Sequence, residues 1–132
     1  MSYLLDTSAV VHLLNLHDPL ATRVRDVGPV PIAISSITVA ELRHAAARSP
    51  RPQRTRAEQD AALAPFRVLA FDESAADRYA DVRAHLEAKR RFVGDRELMV
   101  AAIALANRMT VVTGRVSEFR RVPGLRVEDW TG

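Results

Sequence analysis

The chain has 132 residues, a formal charge of +3 from 19 Lys and Arg against 16 Asp and Glu, and no cysteine. That length suits one domain, residues 1–132, with a core large enough to need no disulfide. The missing thiols exclude cysteine catalysis, disulfide scaffolds and thiolate zinc sites, so any metal would be held by oxygen or imidazole. Lys89 is the only lysine, and arginine supplies the rest of the cationic charge. Guanidinium forks suit phosphate, although GC-rich codon usage produces the same bias. Asp6 interrupts the N-terminal apolar stretch, which argues against a secretory signal. The longest apolar run, Leu98 to Ala106, falls well short of the ~18 residues a membrane span needs. A soluble, cytoplasmic protein with no membrane association is the expectation.

In chain order, Tyr3-Leu4-Leu5 reads as a short buried strand ending at Asp6. A helix follows from Ala9 to Leu16, with Val10, Leu13 and Leu14 on one face. Asp18-Pro19 starts a second short helix through Val27, and Gly28-Pro29-Val30-Pro31 breaks it. Ile32-Ala33-Ile34 is a second strand; Ser35 or Ser36 caps a helix to about Arg48. Ser49-Pro50-Arg51-Pro52 is another break, and Arg54 to Leu63 is helical. Phe66 to Phe71 reads as a strand. Asp72 or Ser74 starts a long helix to about Lys89. After the loop Arg90 to Gly94 comes the apolar Leu98–Ala106, expected to be a buried helix. Thr110 to Thr113 is a strand, and Leu125 to Val127 a last, short one. Strands alternating with helices imply an α/β fold, a three-layer α/β/α sandwich around a mainly parallel sheet.

Carboxylates stand at three strand-to-helix junctions: Asp6, Glu41, and the pair Asp95 and Glu97. Each has a structural explanation. Asp6 is a good helix cap, Thr38 and Glu41 fit a capping box, and Asp95 or Glu97 suits a helix N-terminus. Gathered at one end of a parallel sheet, where ligands bind, the acids would repel one another. A hard cation with oxygen ligands, Mg²⁺ or Mn²⁺, would relieve that repulsion and could activate water toward a phosphate.

The opening Tyr3-Leu4-Leu5-Asp6-Thr7-Ser8, the stretch Ser35 to Leu42, Val93 to Ala102, Thr110-Val111-Val112-Thr113, Glu118-Phe119 and the closing Val122 to Trp130 together resemble one family. It is the PIN-domain ribonucleases, specifically the VapC toxins of bacterial toxin–antitoxin pairs. The pattern is most similar to the VapC branch that cuts initiator transfer RNA. The resemblance implies an Mg²⁺-dependent endoribonuclease in which Asp6, Glu41 and Glu97 hold the metal and an activated water attacks the phosphodiester. It also implies a VapB-type antitoxin partner, whose arginine often enters the acidic groove, a transfer RNA substrate, and a homodimer. The early-helix side chains Val10, Leu13, Leu14 and Leu16 are candidates for an interface.

Two departures from the family pattern stand out. Glu97 occupies the place of an Asp, one methylene longer, with Asp95 as a conceivable substitute. Arg115, two positions beyond Thr113, replaces an Asn or Asp. It could bind RNA phosphate or neutralise the acids; Glu118 is a possible replacement acid. Ser8 and Thr113 are placed to hydrogen-bond the acidic ligands. None of the four histidines, His12, His17, His44 and His85, forms a spaced metal pair. Arg43, Arg48, Arg51, Arg54 and Arg56, with Lys89-Arg90-Arg91, could form an RNA track or a solvated face. The alternative to an enzyme is a catalytically weakened PIN domain that binds antitoxin or RNA.

Overall fold

The computed structural model describes residues 1–132. Five short strands form one sheet: β1 (Tyr3–Leu5), β2 (Ile32–Ser35), β3 (Arg67–Leu69), β4 (Thr110–Val112) and β5 (Val127–Glu128). Their order is β3-β2-β1-β4-β5, and every pairing is parallel. The helices are α1 (Thr7–Leu14), α2 (Leu20–Val27), α3 (Ser36–Ala47), α4 (Pro52–Leu63), α5 (Glu73–Ala88), α6 (Asp95–Ala106) and α7 (Val116–Phe119). This is the expected three-layer sandwich.

The central strands are apolar on both faces because both faces are covered. Alternation along each strand splits the core in two. Leu4, Ala33 and Val111 face one cluster, which α5 and α6 complete with Val82, Leu86, Val100, Ala101, Ile103 and Ala104. Leu5, Ile32, Ile34 and Val112 face the other, closed by Ala9 and Val10 of α1, Leu20 and Val24 of α2, Leu42 of α3 and Trp130.

The chain runs β1 to β2 to β3 in one direction across the sheet, then returns past β1 to lay down β4 and β5. The direction therefore reverses between β1 and β4. Crevices for ligands open at the carboxyl ends of strands at such a switch point. Asp6 follows β1 and Thr113 follows β4, so both stand at that crevice. The Asp6 N–H donates to the Val112 carbonyl at 3.0 Å, extending the ladder by one bond and fixing the aspartate at its rim.

Several boundaries differ from expectation, each for a local reason. The first helix begins at Thr7 rather than Ala9 because Asp6 caps it directly. It stops at Leu14, since Leu16 takes a left-handed backbone (φ 55°) and is 79 % exposed. Leu16 thus lies outside the helix, while Val10 is absorbed by the core and Leu13 and Leu14 pack against it. Pro52 opens α4 two residues early, its fixed φ suiting a first helical position. Strand β3 is half the expected length, and β5 begins at Val127 rather than Leu125. The four-residue α7 has too short a pattern to read from sequence. Asp72 and Ser35 are the caps of α5 and α3. No helix is long and apolar enough to cross a membrane.

Candidate active site

A cleft of about 280 Å³ opens at the switch point, and Asp6, Glu41 and Glu97 all line it. They arrive from three elements: the end of β1, the second turn of α3 and the first turn of α6.

Asp6 is the most enclosed of the three, 4 % exposed. One oxygen, Oδ1, accepts from the Ala9 N–H at 2.8 Å, the capping bond, and from the Ser8 hydroxyl at 2.7 Å. The other, Oδ2, accepts from the Thr113 hydroxyl at 2.5 Å. Asp6 is therefore both a helix cap and a cleft acid. Burial pushes its carboxyl above the ordinary aspartate range; the bonds from Thr113, Ala9 and Ser8 and the charge of Arg115 oppose that rise without cancelling it. Both hydroxyls that bond the acid are themselves held: Ser8 Oγ also accepts the Gly114 N–H at 3.1 Å, and Thr113 Oγ1 accepts the Arg115 N–H at 2.8 Å.

Glu41 does not join a capping box. Ser35 caps α3 by accepting the Thr38 N–H at 3.1 Å, which leaves Glu41 free to cross to α1. There its Oε1 accepts the Thr7 hydroxyl at 2.7 Å, and Thr7 in turn lies 3.0 Å from the buried Thr38 hydroxyl. Its Oε2 meets Arg96 at 3.3 Å. Glu97 is held in the same way, its Oε1 accepting from Arg115 at 3.0 Å.

Asp95 points elsewhere. It is the first residue of α6 behind a Gly94 cap, accepts the Tyr79 hydroxyl at 2.9 Å and lies 3.6 Å from Arg83, away from the cleft. Glu118 is not among the cleft residues either; its Oε1 accepts the Gly94 N–H at 2.8 Å and fastens α7 to the start of α6. Gly94 leaves room for two acids, since a Cβ there would stand 2.7 Å from Glu97 Oε2 and 3.4 Å from Glu118 Oε1.

The donor set suits a hard cation: three carboxylates and two hydroxyls, all oxygen. In this side-chain arrangement, however, no three His, Asp or Glu side chains converge closely enough to hold one ion together. Glu41 and Glu97 each lean on an arginine instead.

Comparison with known proteins decides the family. The model of the PIN domain matches residues 3–125. The chain belongs to the PIN-domain family. Within it the match to VapC ribonucleases is end to end. The chain is 32 % identical to Ribonuclease VapC2 of Rickettsia felis, over 98 % of each chain. It is 34 % identical to the tRNA(fMet)-specific endonuclease VapC of Salmonella typhimurium, again over 98 % of each. A chain of the crystal structure of DNA-bound VapBC from Salmonella typhimurium superposes with a TM-score of 0.93 at 33 % identity, covering 98 % of both chains. The chain is thus a VapC-type PIN-domain endoribonuclease.

Other residues of this PIN-domain cleft escaped the sequence analysis. Thr7, Val11 and His12 line it from α1, Arg96 and Val100 from α6, and Phe119 from α7. The signal existed for α1, because residues 8 and 12 follow Asp6 on one helical face. The His12 Nδ1–H donates to the Ser8 carbonyl at 2.7 Å, and its ring meets that of His17 edge-on at 4.8 Å. No sequence signal pointed to Arg96, which reaches an acid 55 positions away.

Proposed function

We propose that the chain is the Mg²⁺-dependent endoribonuclease toxin of a type II toxin–antitoxin pair and cleaves transfer RNA. The observation that carries this is the meeting of Asp6, Glu41 and Glu97 in one cleft at the switch point of the sheet. Asp6, Glu41 and Glu97 would hold the cation, Mg²⁺ or Mn²⁺. Bound there, it would supply Lewis acidity to the scissile phosphate and its attacking water. Asp6 contributes a fixed oxygen, because three hydrogen bonds leave its carboxylate no freedom to rotate. Thr7 orients Glu41. Arg96 and Arg115, half in solvent, are the cations able to face a phosphate chain.

Transfer RNA is supported by the tRNA(fMet)-specific relative, and a VapB-type antitoxin by the VapBC complex of the Salmonella toxin. A homodimer belongs to the same proposal, supported by the exposed Leu16 beyond α1. One observation favours the second reading, a weakened PIN domain that binds antitoxin or RNA without cutting: both glutamates are salt-bridged and no acidic trio converges.

The deciding experiment incubates wild type and Asp6→Ala with transfer RNA, with Mg²⁺ and with chelator. Cleavage by wild type in Mg²⁺ alone supports the nuclease. Equal cleavage by Asp6→Ala overturns the assignment of the site, and no cleavage by either favours the binding module.

A further inference from the structure

The cleft has two guanidinium groups bonded to two of its three acids, and the pairs are built alike. Arg115 Nη1 stands 3.0 Å from Glu97 Oε1, and Arg96 Nη1 stands 3.3 Å from Glu41 Oε2. In both the acid is the sheltered partner. The glutamates are 24 % and 27 % exposed, their arginines 61 % and 67 %. Glu41 is also fixed from behind by the Thr7 hydroxyl, and Glu97 stands on the first turn of α6, its end over the side-chain-free Gly94. The arginines are anchored only at their roots. Arg115 has its backbone N–H on Thr113 Oγ1, and Arg96 sits in the first turn of α6. Each pair thus joins a positioned carboxylate to a long, solvent-facing arm.

We propose that Arg96 and Arg115 form a two-armed latch within the chain, which compensates Glu41 and Glu97 and competes with the divalent cation for them. This deepens the nuclease reading and rests on it. A guanidinium and a cation cannot occupy the same carboxylate lone pairs. Each arm also holds its glutamate in the present direction, so it has to let go before the side chain turns to the ion. Swinging out is cheap, because exposed ion pairs contribute little to stability. The arms accordingly tune affinity for the cation while the fold stays indifferent to them. Asp6 has no such arm bonded to it, so it offers the cation its first contact. The latch also explains why the three acids line one cleft without converging.

The test titrates Mn²⁺ into the metal-free full chain by isothermal calorimetry and measures unfolding temperature alongside. Arg115→Gln should bind Mn²⁺ about fivefold more tightly than wild type, and Arg96→Gln a smaller factor, its pair being longer and more exposed. Arg120→Gln removes the same charge from the end of α7, where it makes no ion pair, and should leave Mn²⁺ affinity within about twofold. Unchanged or weaker binding by both latch variants, with a lowered unfolding temperature, would make the pairs structural and overturn the latch. An equal gain from Arg120→Gln would reduce the effect to net charge and overturn it too. Asp6→Asn separates the two levels. Were wild type to bind Mn²⁺ as well as Asp6→Asn does, the acidic site itself would fall, whatever the arginines do.

Discussion

Asp6 shows two roles in one carboxylate. The sequence offers cap and cleft acid as rivals, and the structure makes them the same residue, with Oδ1 on the Ala9 N–H and Oδ2 on Thr113. The rivalry was unresolvable from sequence because capping uses only one lone pair, leaving the rest of the group to work. The acid is nearly dry, and burial raises its pKa. A raised carboxyl pKa in the fold means that its contribution to stability is fully present below the unfolded value of about 3.9 and is lost as pH rises through the folded value. At neutral pH the ionised form is therefore a burden on the native state. Asp6→Asn keeps a capping oxygen and removes the buried charge, so it should melt a few degrees above wild type at neutral pH. The gap should close below about pH 4. Melting curves across that range check this; an equal gap throughout would mean that the charge is not the cause. A second residue-scale prediction concerns Gly94. Its φ of −57° accepts any side chain, and the nearest atoms a new Cβ would meet are carboxylate ends. Gly94→Ala should therefore shift the melting temperature by no more than about 2 °C. It should still cut RNA cleavage by about tenfold or more through displacement of Glu97.

Among the elements, legibility follows pattern length. The long helices α3 and α5 and the buried α6 carry enough turns for their apolar spacing to be read, and the central strands are mostly apolar. The fold class follows from their alternation. What could not be read is what depends on pairing at long range: Arg96 with Glu41, Thr7 with Glu41, Glu118 with Gly94. A one-dimensional pattern holds periodicity, whereas these contacts exist only once the strands have paired and the helices have packed on the sheet. The helix α7 is the extreme case, four residues held by one fully buried aromatic, Phe119, and by the bond from the Gly94 N–H to Glu118. Phe119 packs in the α5–α6 core cluster and also lines the cleft. Phe119→Ala should cost about 3–5 kcal/mol, the range for emptying a buried aromatic site. It should also release Arg115, which precedes α7. Urea unfolding measures the first effect, and a loss of stability with Mn²⁺ affinity unchanged would show that Phe119 does not hold α7 against the cleft.

For the whole molecule, the acids of the cleft are a local reversal in a basic protein, with a sequence pI near 10.1. A positive surface draws a polyanion in, and a negative pocket then has to present its phosphates to acids of the same sign. A divalent cation would reconcile the two, and this makes its thermal signature the most direct test of the assembled site. A ligand that binds only the native state adds RT ln(1 + [L]/Kd), about 2.7 kcal/mol at a hundredfold excess over Kd. For a domain of this length that corresponds to a rise of roughly 10 °C in melting temperature. Wild type should therefore melt progressively higher as Mg²⁺ or Mn²⁺ is added. Asp6→Asn should start higher and stay flat, because relief of the buried charge and loss of the ion site come from the same substitution. The two curves should cross as the cation concentration rises. Parallel curves would mean that the added ions act on general surface charge, and that the three acids, although neighbours in one cleft, do not share a cation.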